Sequence, residues 1–131
     1  MFLHMLNEDQ KRAFAALALK MTGADGAVVG REAARLRALA GEMNLEIEGW
    51  DSSASTGQLA AVFTDRRSKV VALLELLGLA YSDTTFQAAE RSIVSEVARA
   101  MSVSGDDLKR LEAWVADHVD HVRQALALMR E

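Results

Sequence analysis

The chain has 131 residues, half of them hydrophobic, and a formal net charge of −4, which suits one domain with a real core. It contains no cysteine, so disulfides, zinc–thiolate sites, iron–sulfur clusters and a cysteine nucleophile are excluded. The acidic balance and a 5% aromatic content argue against a nucleic-acid binder, which needs a stronger basic surface.

Helical spacing recurs along the chain, strand-like alternation does not, and proline is absent. The first residues, Met1-Phe-Leu-His-Met-Leu, lack the basic region and apolar run of a signal peptide. Asn7 with Gln10 three residues later reads as a capping box that starts helix one. Phe14, Leu17, Ala18 and Met21 form its apolar stripe, and Thr22-Gly-Ala-Asp-Gly ends it. A second helix is expected from about Gly30 to Met43, with Leu36, Leu39, Ala40 and Met43 on one face. Residues 46–57, with Asp51-Ser-Ser-Ala-Ser-Thr-Gly, read as a connector.

A short helix is expected over Gln58 to Phe63. Thr64 or Asp65 would cap a helix ending near Ala80, striped by Val70, Leu73, Leu74 and Leu77. The stretch Val70 to Ala80 is the longest apolar run, at 11 residues with Glu75 inside it. That is too short to span a bilayer, so a cytoplasmic protein is expected. Asp83 or Thr84 would start the next helix, reaching Met101 with the stripe Phe86, Ala89, Ile93, Val97 and Met101. Ser104, with Asp107 three later, would cap the last helix, striped by Leu108, Leu111, Val115, Val119, Val122 and Leu126. The fold class is therefore all-α, one domain of about 6–7 helices: repeat one about 8–45, the connector, repeat two about 64–103 and a C-terminal helix 104–130.

The repeat is read from an acidic pair. Asp25 and Glu32 recur as Asp83 and Glu90 at a fixed offset, since 83 − 25 = 58 and 90 − 32 = 58. At that offset Ala18 matches Leu76, Met21 matches Leu79, Leu36 matches Val94, and Leu39 matches Val97. Ala40 and Ala98, and Met43 and Met101, keep residue type as well as pattern. Such self-similarity points to duplication of a helical hairpin.

Two carboxylates brought close by a short loop repel and raise each other's pKa. A hard cation relieves this through oxygen ligands, and Ca²⁺ or Mg²⁺ is favoured. Asp25-Gly26-x5-Glu32 matches the second half of an EF-hand loop. The first half fails, because Met21 and Gly23 stand where acidic ligands belong. The second copy lacks the glycine too, having Thr84 there. Neither copy is a complete site, so a metal site would pool Asp25, Glu32, Asp83 and Glu90. The plainer reading is that these residues are turn and cap residues, with glutamates favoured by the helix dipole.

Met21-Thr-Gly-Ala-Asp-Gly-Ala-Val-Val-Gly-Arg-Glu32, followed by Leu36, Leu39, Ala40 and Met43, resembles the signature of TerB-like proteins, the tellurite-resistance B family. Ala80-Tyr-Ser-Asp83 to Glu90, then Ile93, Val94, Val97, Ala98 and Met101, resembles its second copy. The likeness covers roughly Asp9 to Val115. It implies two pseudo-symmetric helical units and an acidic site for a divalent metal, with Asp25 and Glu32 as the first pair and Asp83 and Glu90 as the second. It also implies a setting in tellurite resistance, phage defence or chemical stress, often near membrane-associated complexes, and no defined catalysis. Thr84-Thr85 departs from the pattern and weakens the second half-site.

Other constellations carry less. His118 and His121 sit at i, i+3, but His118 lies between Val115 and Val122 on the apolar stripe, so a core or interface role is expected for it and a surface role for His121. Trp50 and Trp114 read as core or hinge packing, Trp50 alternatively as part of a partner groove. No catalytic triad or phosphate loop is present. The leading expectation is a non-enzymatic, cation-binding module acting through a protein partner, with a homodimer among its assemblies and no nucleic acid or membrane span. A metal-free interaction module, its acidic residues serving as caps or an anionic patch, is the alternative. An enzyme using close carboxylates is a third reading, which would need a deep pocket and a positioned nucleophile.

Overall fold

The structure is a computed structural model, and it describes residues 2–22, 38, 41, 54–81 and 88–130. Described residues form helices and their connections, without a strand. A 3₁₀ turn, Leu3–Met5, leads into α1 (Glu8–Thr22). Then follow α2 (Thr56–Ala60), α3 (Arg66–Ala80), α4 (Ala88–Ala100) and α5 (Gly105–Met129). Ala38 and Gly41 are also helical. The rest of the expected second helix lies outside the described residues, as do Trp50 and the start of the helix expected from Asp83.

Local chemistry sets the helix starts. At α1, the Gln10 amide donates to Asn7 Oδ1 at 2.8 Å and the Asn7 amide donates to Gln10 Oε1 at 3.0 Å. The expected capping box is thus present, and each side chain satisfies an orphan donor of the other. α2 begins two residues earlier than expected because Ser55 caps it. Ser55 Oγ accepts from the Gln58 amide and Gln58 Oε1 from the Ser55 amide. Asp65 is the N-cap residue of α3, but its side chain makes no capping bond; Ser68 Oγ donates to the Asp65 carbonyl instead. Ser104 caps α5 as expected, its Oγ accepting from the Asp107 amide at 3.1 Å.

α4 ends in a motif that its sequence did not announce. The Val103 amide donates to the Ala98 carbonyl, and the Ser102 amide to that of Arg99, at 2.9 and 3.0 Å. Ser102 has φ 59°, the left-handed conformation this Schellman closure requires and glycine usually supplies. Val103 is buried, which seals the corner before α5 begins.

The core is centred on α3, which packs against α1, α4, α5 and the N-terminal turn. Its Val71, Ala72, Leu73, Leu76, Leu77, Leu79 and Ala80 are all buried, so it is a central helix and not the one-sided stripe expected. α1 presents Phe14, Leu17, Ala18 and Met21 to this core, each with no exposed surface. Val94, Val97, Ala98 and Met101 contribute one face of α4. α5 behaves differently along its length. Val115 is buried, whereas Val122 and Leu126 are exposed, so the end of the expected stripe finds no partner within the described residues. None of the described helices is long and apolar enough to cross a membrane.

The offset of 58 read from the acidic pairs reappears in the helices. α1 and α3 are both 15 residues long, and both ends differ by that number: 66 − 8 = 58 and 80 − 22 = 58. Several matched positions are buried in both helices, Gln10 with Ser68, Ala13 with Val71, Phe14 with Ala72, Ala18 with Leu76, and Met21 with Leu79, whereas Ala16 with Leu74 and Leu19 with Leu77 differ. Ala38 and Gly41 are exposed like their α4 counterparts, Glu96 and Arg99.

Candidate functional site

Of the four carboxylates singled out, Glu90 is described; Asp25, Glu32 and Asp83 lie outside the described residues. Glu90 stands in the first turn of α4, where the helix dipole favours a negative charge. It precedes Val94 by four residues, Val97 by seven and Met101 by eleven, so it occupies the same face as the helix's core stripe. That register turns it inward, and it is only 2% exposed. A carboxylate at such depth requires a hydrogen-bonded, charged or metallic environment, because burial of a bare charge is very costly.

A second buried carboxylate was noted in the sequence only as an interruption of the apolar run. Glu75, 3% exposed in the middle of α3, accepts a 2.7 Å hydrogen bond from the Phe2 amide. It fastens the N-terminal segment to the central helix. Phe2 continues this contact towards α5, its ring 6.3 Å from that of Trp114.

Around the α3 end lies a polar cluster that sequence reasoning did not assemble. Tyr81 donates through its hydroxyl to Glu112 Oε1 at 3.0 Å. Arg91 Nη1 donates to both oxygens of the same carboxylate, at 2.9 and 3.2 Å. Glu112 on α5 thereby ties together the C-cap residue of α3 and the first turns of α4. Partial burial and the hydrogen bond to Glu112 raise the Tyr81 pKa above its ordinary value. The one available sequence signal was the placement of Arg91 directly after the repeated Glu90. A crevice of about 20 Å³ runs beside this cluster, between Leu77, Arg91, Val94, Ser95, Leu108 and Glu112. It has room for a water molecule and is too small for an organic substrate.

His118 is half-buried and stacks on Trp114 with ring centroids 5.2 Å apart and planes within 5°; His121 is exposed. Trp114 itself is 44% exposed, so it is a surface platform for Phe2 and His118 and not core packing, the first of its two expected roles. Among the described residues, no group of three or more histidines and carboxylates is arranged to hold a metal ion. Comparison with protein-family models, curated proteins and solved structures gives no match.

Proposed function

We propose that this chain is a non-enzymatic, TerB-like helical module that binds one divalent cation, Ca²⁺ or Mg²⁺, through a site pooled from Asp25, Glu32, Asp83 and Glu90, and that it acts through a protein partner in a stress response of the tellurite-resistance type. The observation that carries the reading is the burial of Glu90 at the start of α4, at the position where the duplicated pair expects a ligand. The common offset of α1 and α3 supports it further. If the halves are copies, Glu32 occupies the place in the first unit that Glu90 holds in the second. Pooling then brings hard oxygen donors from both units to one ion, and that ion relieves their mutual repulsion. The resemblance of residues 21–32 and 80–101 to TerB-like proteins supplies the biological setting.

A metal-free interaction module is the second reading, favoured by the dipole-compatible position of Glu90 in a first helical turn. Thermal unfolding separates the two. On the cation reading, Ca²⁺ or Mg²⁺ raises the Tm of chelator-treated protein in a concentration-dependent way, because a ligand that binds only the folded state stabilises it. Asp25→Ala and Asp83→Ala abolish the increase. A Tm that neither chelator nor cation changes supports the metal-free module.

A further inference from the structure

Glu112 receives hydrogen bonds from two residues that bracket the second acidic pair in the chain. Tyr81, the C-cap residue of α3, donates to its Oε1 at 3.0 Å. Arg91, in the first turn of α4, donates to both of its oxygens at 2.9 and 3.2 Å. Asp83 and Glu90 lie between these two donors in sequence, and Arg91 directly follows Glu90. Glu112 itself belongs to α5, outside both repeats. Its side chain is 23% exposed, so these charge-assisted bonds are screened less than those of a fully exposed pair.

Apolar packing alone does not set this junction. The crevice of about 20 Å³ lies between Leu77 of α3, Val94 and Ser95 of α4 and Leu108 of α5. Side chains leave a gap there, and the bonds to Glu112 cross beside it. The first unit offers no equivalent. At the offset of 58, Tyr81 and Arg91 match Gly23 and Ala33, neither of which has a side-chain donor. The tether to α5 therefore belongs to the second unit alone, the one in which Thr84 replaces the glycine after the aspartate.

We propose, resting on the cation reading above, that Glu112 is a positioning residue for Glu90. It holds the first turn of α4 through Arg91 and the end of α3 through Tyr81, and so fixes where the Glu90 carboxylate meets the ion. Glu90 is 2% exposed, and a buried ligand has little freedom to correct a misplaced backbone. Residues that orient a ligand from behind matter for that reason, and their loss weakens metal binding by roughly 10–100-fold. Glu112 also offsets the charge of the Arg91 guanidinium, which beside a ligand would oppose a divalent cation.

Titration calorimetry of Ca²⁺ and of Mg²⁺ into the chelator-treated full chain tests this, with the cation-free Tm of each variant read alongside. Glu112→Ala is expected to raise the Kd by roughly 10–100-fold. Glu112→Gln, which keeps an acceptor oxygen for both donors, recovers most of the wild-type affinity. Leu108→Ala truncates a side chain at the same crevice and leaves the three hydrogen bonds in place; it lowers the cation-free Tm and leaves the Kd unchanged. Saturable wild-type binding with an unchanged Kd in Glu112→Ala overturns the positioning role and leaves the cation site standing. So does an equal loss of affinity in Leu108→Ala, which would make general loosening the cause, or in Glu112→Gln, which would make it charge. Absence of saturable heat in the wild type overturns the cation site itself and this role with it.

Discussion

Among the described residues, Ser102 is the one at which backbone geometry and side-chain identity disagree most openly. Its φ of 59° closes the Schellman motif, and a side chain in that conformation costs roughly 1–2 kcal/mol. Ser102→Gly is therefore expected to raise stability by roughly 1 kcal/mol, less the extra entropy of an unfolded glycine. A shift in the denaturant midpoint at unchanged slope checks it. Tyr81 gives a prediction in pH. Burial and its bond to Glu112 hold the phenol protonated in the folded state beyond its ordinary range. A raised folded pKa adds stability that is complete below the unfolded value and is lost as pH climbs through the folded one. Wild-type stability should fall above about pH 10, and Tyr81→Phe should flatten that alkaline limb. An equally steep limb in the variant would place the dependence elsewhere.

Helix starts were the most legible elements, because a cap is a local contract between residues three apart. Asn7 with Gln10 and Ser104 with Asp107 could be read directly from the chain and are formed. Ser55 with Gln58 obeys the same rule and passed unnoticed inside a Ser-rich connector, where a cap resembles the loop around it. Burial was less legible, since a stripe shows which face is apolar and not how many neighbours the helix has. α3 is packed on several sides, and α5 outlasts its partners. The contrast predicts unequal costs for similar truncations. Leu76→Ala, at a fully buried α3 position, should destabilise by roughly 2–5 kcal/mol. Leu126→Ala, on the exposed end of α5, should change the folding free energy by at most about 0.5 kcal/mol. Urea unfolding of the two variants compares them.

At the scale of the molecule, the sequence offset is matched in part by the lengths and burial of two helices. Asp25-x6-Glu32 and Asp83-x6-Glu90 set the number 58, and α1 and α3 share their length and several buried positions at that number, although Leu74 and Leu19 are only half-buried where Ala16 and Leu77 are buried. The inward turn of Glu90 could be foreseen from its place on the Val94, Val97 and Met101 stripe; the Tyr81–Arg91–Glu112 cluster could not, because it joins three elements distant in sequence. The proposed function depends on the halves sharing one ion, and titration calorimetry with Ca²⁺ and Mg²⁺ measures that sharing directly. The account predicts saturable binding of one ion per chain, abolished equally by Asp25→Ala and by Asp83→Ala, each of which leaves an incomplete pooled site. No saturable heat with either ion, or two independent ions each lost with only one of the variants, would contradict it.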